Sequence, residues 1–237
     1  MNGLEQQVAA LPWSALRTSL HERGYARVPG LLPAATCNAL SAGYEESGRF
    51  RKTVVMERYR FGLGQYRYFS YPLPESIALL RHALYARLVP VANTWMDVLG
   101  KGKPYPETLD LFRAQCHAAG QPHPTCLQLR YGPGGFNTMH QDLYGDLFFP
   151  IQAVLFLKDP VHDYRGGEFV LTEQIPRAQS KVIVLQPGQG DLLLFTTSFR
   201  PVKGSRGYYR VVMKHGVSEV TEGERETLGI IFHDAAT

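Results

Sequence analysis

The side chains best suited to chemistry lie in the stretch FNTMHQDLYGD, where His140 and Asp142 stand two positions apart. Imidazole and carboxylate groups both bind divalent transition metals. Alone the pair is a weak signal. A His followed two residues later by an Asp arises roughly one time in twenty by chance, and the chain holds eight histidines. In extended backbone, residues i and i+2 point to one face, so a strand end would deliver both groups together. His215 follows 73 residues later, at the end of YYRVVMKH. Two imidazoles and one carboxylate on a β scaffold form a facial triad. That ligand set holds non-haem Fe(II) by one face and leaves the other coordination positions open.

Arg225 lies ten residues beyond His215. HGVSEVTEGERETLGIIFH reads as a strand, a turn at Thr221–Glu224 and an antiparallel return strand, a tight hairpin that brings Arg225 back beside His215. A guanidinium there suits bidentate binding of a dicarboxylate. Thr227, two positions on, shares its face and offers a hydroxyl. Other candidates are weaker. CHAAGQPHPTC holds Cys116, His117, His123 and Cys126, but adjacent Cys116 and His117 lack zinc-ligand spacing, and the segment reads as a helix end and linker. His162 and His233 each directly precede an Asp, and neighbours in a strand face opposite ways. RYRFGLGQYRYFSY sets Arg58, Arg60 and Arg67 among six aromatics. It reads either as an amphipathic strand packed on the core or as a substrate-facing flap. In the flap reading, arginines meet phosphate and an aromatic stacks on a base lifted from its helix.

Positioning such groups requires a scaffold, and the chain's texture suggests one. At 237 residues with 44% apolar composition, it can bury the core of one sizeable domain spanning 1–237. Residues 1–120 read mainly as helix, with helices expected at Leu4–Arg23, from Pro33 to about Ser47, at Glu75–Leu99 and at Glu107–Ala119. YARVPGLLP reads as a short strand between the first two. From 121 onward the segments are short, β-branched and aromatic: TCLQLRY, PIQAVLFLK, GEFVLTE, KVIVLQ, DLLLFTT, YYRVVMKH and RETLGIIFH. Helices followed by seven or eight strands predict an α+β fold with a β sandwich or barrel. The net charge of +4 permits an anionic partner without requiring one. Three cysteines argue against a disulfide framework and for a reducing cytoplasm. The first residues lack signal-peptide character, and no apolar run is long enough for a membrane span.

Together, His140-x-Asp142, His215 and Arg225 resemble the His-x-Asp…His…Arg pattern of Fe(II)/2-oxoglutarate-dependent oxygenases. Arg225-Glu-Thr227 is similar to the Arg-x-Ser pair that holds the far carboxylate of 2-oxoglutarate in some branches. RGGEFVLTE and HGVSEVTEGER resemble the Gly-Gly-Glu turn and final ligand hairpin of prolyl-hydroxylase-like members. GYARVPGLLP resembles their entry strand, and the arginine-aromatic stretch falls where this superfamily carries substrate lids. RYGPGGFNTMHQD is similar to the segment before the metal in AlkB-like nucleic-acid repair oxygenases. They place a Tyr nine residues before the first His; Tyr131 fits and would hydrogen-bond 2-oxoglutarate, although packing beside Gly132-Pro133 is an equal reading. Two positions depart from that pattern. Leu129 stands where an Asn is expected, and Ile231 where a second Arg is expected. The ending HGVS…GER.TLGIIFHDA is similar to that of an uncharacterised bacterial oxygenase family assigned to oxidative demethylation of damaged DNA.

The resemblance implies a double-stranded β-helix (jelly-roll) core with N-terminal and flanking helices. It implies Fe(II) on His140, Asp142 and His215, with 2-oxoglutarate on Arg225, and O2 as co-reactant. The expected reaction hydroxylates a C–H bond; on an N-methyl group the product collapses to formaldehyde. The leading expectation is demethylation of alkylated DNA or RNA. A second is the same chemistry on a protein side chain or small molecule, and a third is a non-catalytic 2-oxoglutarate or metal sensor.

Overall fold

The computed structural model describes residues 3–237. In chain order the elements are α1 (Gly3–Ala9), α2 (Trp13–Arg23), β1 (Tyr25–Val28), α3 (Ala34–Ala42), β2 (Phe50–Val55), β3 (Gly62–Leu63) and β4 (Gln65–Phe69). Then come α4 (Glu75–Val98), α5 (Leu109–Ala118), β5 (Leu127–Tyr131), β6 (Phe136–His140), β7 (Ile151–Phe156), β8 (Tyr164–Gly166) and β9 (Phe169–Gln174). The chain closes with β10 (Lys181–Leu185), β11 (Leu192–Thr196), β12 (Phe199–Gly204), β13 (Gly207–Val217), β14 (Val220–Gly223) and β15 (Arg225–Ile230).

Two antiparallel sheets make the jelly-roll core. One has seven strands in the order β1-β11-β7-β15-β5-β4-β2. The other runs β10-β9-β13-β6-β3, with β12 also paired to β13, and β8 pairs β14 in a small separate ribbon. The apolar run of β7 explains why a central strand can be hydrophobic at every position. Ile151, Ala153 and Leu155 pack on the helical side with Leu84, Leu88 and Trp95 of α4. Val154 and Phe156 pack inward with Phe169, Leu171 and Met213 of the facing sheet. Strand β11 divides the same way, with Leu192 and Leu194 outward and Leu193 and Phe195 inward. The helices therefore cover one face of the seven-stranded sheet, and the two sheets enclose a second core whose far end holds the site.

Three expectations are corrected. The helix expected over Leu4–Arg23 breaks in two, because Pro12 cannot continue a helical ladder; the Trp13 indole donates to the Val8 carbonyl across the break at 2.7 Å. The helix after Pro33 ends at Ala42, and short 3-10 turns carry the chain onward. The expected hairpin after His215 is absent. Val220–Gly223 pairs with β8 instead, and β15 crosses to the opposite sheet, between β5 and β7. Within the mostly helical half, residues 50–69 supply strands to both sheets, which agrees with the amphipathic-strand reading of Arg58–Tyr71 and extends it back to Phe50.

Candidate metal centre and its pocket

Strands β6 and β13 are adjacent, and His140 and His215 are direct Cα partners across them. Their ring centroids lie 4.2 Å apart. Asp142, just past the end of β6, turns its carboxylate between them. His140 Nε2 is 3.5 Å from Asp142 Oδ1, and His215 Nε2 is 3.2 Å from Asp142 Oδ2. One ligand atom from each residue lies within 4.8 Å of the others, making this the sole such cluster among the described residues.

The donor chemistry fits a divalent cation. His140 Nδ1 donates to the Thr138 carbonyl at 2.8 Å, which leaves the Nε2 lone pair facing Asp142. Two imidazole nitrogens and a carboxylate facing one another are all electron-pair donors, and a proton or cation must lie among them. The three groups also shift one another's proton affinity. Burial pulls the His140 imidazole down, but the hydrogen bond and charge of Asp142 outweigh it and leave it above the ordinary value. His215 is lowered by burial and by neighbouring His140. Burial alone would raise the Asp142 carboxyl, yet His215 and His140 hold it well below the usual carboxylate range.

The cluster opens on a cavity of about 200 Å³ between the sheets, lined also by Tyr131, Arg225, Thr227, Phe61 and Tyr66. Arg225 and Tyr131 are Cα partners on β15 and β5. Arg225 is 1% exposed, and its Nε donates to the Gly167 carbonyl at 2.8 Å. Burial lowers its pKa, partly offset by the Tyr164 and Tyr131 hydroxyls. Among the described residues no carboxylate lies within ion-pair distance of it. A buried guanidinium without a counter-ion calls for an anionic ligand. The Gly-Gly motif makes room for it, since a Cβ on Gly167 would lie 2.8 Å from Arg225 Cδ. Thr227 is buried beside it on the same pocket wall. Burial pushes the Tyr131 phenol up to about 12, so it stays a donor. Leu129 and Ile231, where the AlkB-like pattern has polar groups, also line the cavity.

The structure separates the three flap arginines. Arg58 and Arg60 are exposed on the turn between β2 and β3, beside Phe61 at the pocket. Arg67 is turned away: its Nη1 donates to the Tyr44 carbonyl at 2.6 Å, and its guanidinium stacks 4.4 Å from the Tyr44 ring centroid. Its neighbour Tyr66 faces the cavity, and successive strand residues point to opposite sides. The flap's sharpest feature is an exposed stacked pair, Tyr59 and Phe61, with centroids 5.5 Å apart. Arg60 between them adopts a left-handed conformation at φ 59°, uncommon for a non-glycine residue. The flap is fastened to the metal strand, because Thr138 N–H donates to the Phe61 carbonyl at 2.9 Å.

Three further residues join the site in the structure. Asn137 donates from Nδ2 to the Tyr131 hydroxyl at 3.3 Å. The Tyr144 hydroxyl donates to Asp142 Oδ1 at 2.6 Å; burial and the Asp142 charge raise its pKa well above the ordinary value. His233, read as inert, is no ligand, but its Nε2 lies 3.2 Å from the Asp142 carbonyl. The His-x-Asp-x-Tyr spacing could have flagged Tyr144; nothing local points to His233.

Jelly-roll core, convergent His-Asp-His group and buried arginine define a 2-oxoglutarate-dependent Fe(II) oxygenase, an oxidoreductase. Residues 64–235 match the Oxygenase-NA family, described as an oxygenase catalysing oxidative methylation of damaged DNA, and the chain belongs to this family. Enzymes of this class use Fe(II), 2-oxoglutarate and O2. Two uncharacterised proteins, from two strains of Mycobacterium tuberculosis, are each 45% identical over 209 residues, covering 84% of this chain and 90% of theirs. Among solved structures, a prolyl-4-hydroxylase of Pseudomonas putida is similar at a TM-score of 0.53 and 19% identity, covering 93% of this chain and 98% of that one. A 2-oxoglutarate-Fe(II) oxygenase family oxidoreductase of Burkholderia pseudomallei is similar at 0.54 and 19%, covering 96% and 95%. These likenesses show a shared fold. No helix among the described residues is long and apolar enough to cross a membrane.

Proposed function

We propose that the chain oxidatively demethylates alkylated nucleic acid, with Fe(II) held by His140, Asp142 and His215 and 2-oxoglutarate held by Arg225. One observation carries the site reading: the His-Asp-His group and a buried, uncompensated guanidinium open on the same small cavity. Bound there, Fe(II) supplies oxidation of a substrate C–H bond, coupled to decarboxylation of 2-oxoglutarate to succinate. Tyr131 and Thr227 add hydroxyl groups beside Arg225, and Asn137 orients the Tyr131 hydroxyl. The apolar walls at Leu129 and Ile231 keep water from the reacting group.

The nucleic-acid part is supported by the family description and by the flap. Arg58 and Arg60 offer cations for phosphate, and Tyr59 and Phe61 offer stacking faces at the entrance. An oxygenase acting on an N-methyl group inserts oxygen into its C–H bond, so the proposed outcome is loss of the methyl as formaldehyde. The three buried, unpaired cysteines agree with a reducing cytoplasm as its place of action. A panel of alkylated single-stranded oligonucleotides, with hydroxylatable peptides alongside, tests the substrate. Fe(II)-dependent release of both succinate and formaldehyde with an oligonucleotide is expected. Stimulation by peptides alone would move the protein to the hydroxylase reading that its prolyl-hydroxylase-like Gly166-Gly167-Glu168 turn also fits.

A further inference from the structure

Asp142 is gripped at both ends by groups that are not themselves ligands. The Tyr144 hydroxyl donates to its Oδ1 at 2.6 Å. At the other end, the Asp142 backbone carbonyl lies 3.2 Å from His233 Nε2. The direction of that second bond follows from the opposite side of the ring. Phe149 N–H donates to His233 Nδ1 at 3.2 Å, so in the neutral ring the proton sits on Nε2 and points at Asp142. His233 is fully buried, and the Thr125 hydroxyl donates to its carbonyl.

Tyr144 is itself well fixed. Its ring meets Tyr68 edge-on, with centroids 6.1 Å apart, and lies 5.9 Å from the His233 ring. Ala236 N–H donates to its backbone carbonyl at 3.1 Å. The phenol is therefore held in place by its surroundings, and Asp142 adapts to it.

A carboxylate torsion is soft and nearly two-fold, so an unrestrained aspartate can present either oxygen, or both, to a cation. In this structure Oδ1 accepts from the phenol and lies 3.5 Å from His140 Nε2, while Oδ2 lies 3.2 Å from His215 Nε2. We propose that Tyr144 is a positioning residue of the metal centre, holding the Asp142 carboxylate in one orientation between His140 and His215. It acts through Asp142 and touches no reactant in this role. The proposal rests on the assignment of His140, Asp142 and His215 as ligands, but on no choice of substrate.

The test is anaerobic titration of the metal-free protein with Co(II), read by its visible ligand-field absorption. Tyr144→Phe removes one oxygen atom and keeps the ring. It should weaken Co(II) binding by about ten- to hundred-fold and change the intensity of the band, as the carboxylate loses its fixed orientation. The melting temperature of the metal-free variant should stay near that of the wild type. Tyr44→Phe deletes another buried tyrosine hydroxyl, which donates to Gln65 Oε1 at 2.9 Å and not to Asp142, and should bind Co(II) like the wild type. Wild-type affinity and spectrum in Tyr144→Phe would overturn the proposal. An equal loss in Tyr44→Phe would also overturn it, by making general loosening of the fold the cause. Unaltered Co(II) binding in Asp142→Ala would instead remove the ligand assignment, and the proposal with it.

Discussion

At the scale of single residues, the site depends on groups that burial makes costly to leave alone. Asp142 is 7% exposed and Arg225 1%; Asp142 depends on Tyr144, His140 and His215, and Arg225 has no carboxylate within ion-pair distance among the described residues. Replacing His140 or Asp142 with Ala should therefore abolish Fe(II)-dependent succinate formation, measured by direct succinate assay; full activity in either variant would refute the ligand set. Arg225→Ala should raise the 2-oxoglutarate KM by ten-fold or more, in line with roughly 2–5 kcal/mol for loss of one partner of a buried charge pair. An unchanged KM would remove its role. Arg225→Lys should restore little, because an ammonium cannot reproduce the planar two-donor fork. The four residues His140, Asp142, His215 and Arg225 were legible because metal and carboxylate chemistry admits few residue types at few spacings. Tyr144 and His233 were not. A tyrosine or histidine that orients a ligand is bound by no such rule, and His233 reaches Asp142 from 91 positions away.

At the scale of elements, the flap between β2 and β4 divides its arginines between an exposed turn that carries Arg58 and Arg60 and strand β4, whose Arg67 faces away from the pocket. Arg58→Ala with Arg60→Ala should weaken oligonucleotide binding, and flatten its salt dependence, while leaving 2-oxoglutarate affinity unchanged. A parallel loss of cosubstrate affinity would argue that the flap merely supports the pocket. Arg67→Ala should instead lower the melting temperature, by the equivalent of roughly 1 kcal/mol from its lost stacking on Tyr44. The Gly-Gly turn gives a sharper case. A Cβ on Gly166 would lie 2.2 Å from the Glu219 carbonyl oxygen, at φ +70°, so Gly166→Ala should disrupt the β8–β14 ribbon and cost solubility or thermal stability. The central strands were readable because a strand buried on both faces carries an unbroken apolar run. The flap strands were readable only as one of two alternatives, because Arg51, Lys52 and Arg67 interrupt that pattern near a sheet edge. The return strand was placed beside the wrong neighbour. VTEGE has the composition of a tight turn, but the pairing it makes is with Tyr164–Gly166, and only that distant partner sends β15 to the opposite sheet.

At the scale of the whole molecule, the last residues pin helices, core and site together. Arg81 of α4 is 1% exposed. It donates to the Ile231 and Phe232 carbonyls at 2.9 and 3.0 Å and to Asp234 Oδ1 at 2.7 Å. Arg81→Met should cost about 3–5 kcal/mol by removing the main charge partner of a buried carboxylate, checked by denaturant unfolding. Burial alone would raise the Asp234 carboxyl, but Arg81 and hydrogen bonds from His117 and Tyr71 hold it below its ordinary value. Its contribution is therefore complete above the unfolded carboxyl value of about 3.9 and is lost as pH falls through the lower folded value. Asp234→Asn should show a shallower acid limb in a plot of stability against pH. Strand β6 shows the opposite economy. It is joined to β13 at two register positions with a shift between them, and to β3 along two residues. A cation bound to His140, Asp142 and His215 would cross-link this thinly held strand to its better-secured neighbour and close a loop of 73 residues between Asp142 and His215. At a free metal concentration a hundred-fold above its dissociation constant, such a ligand adds about 2.7 kcal/mol to folding. Chelation should then speed amide hydrogen exchange first in β6 and the flap. In a cell with active proteases, the lifetime of the chain would follow iron supply, so that scarcity lowers the amount of enzyme as well as the fraction loaded.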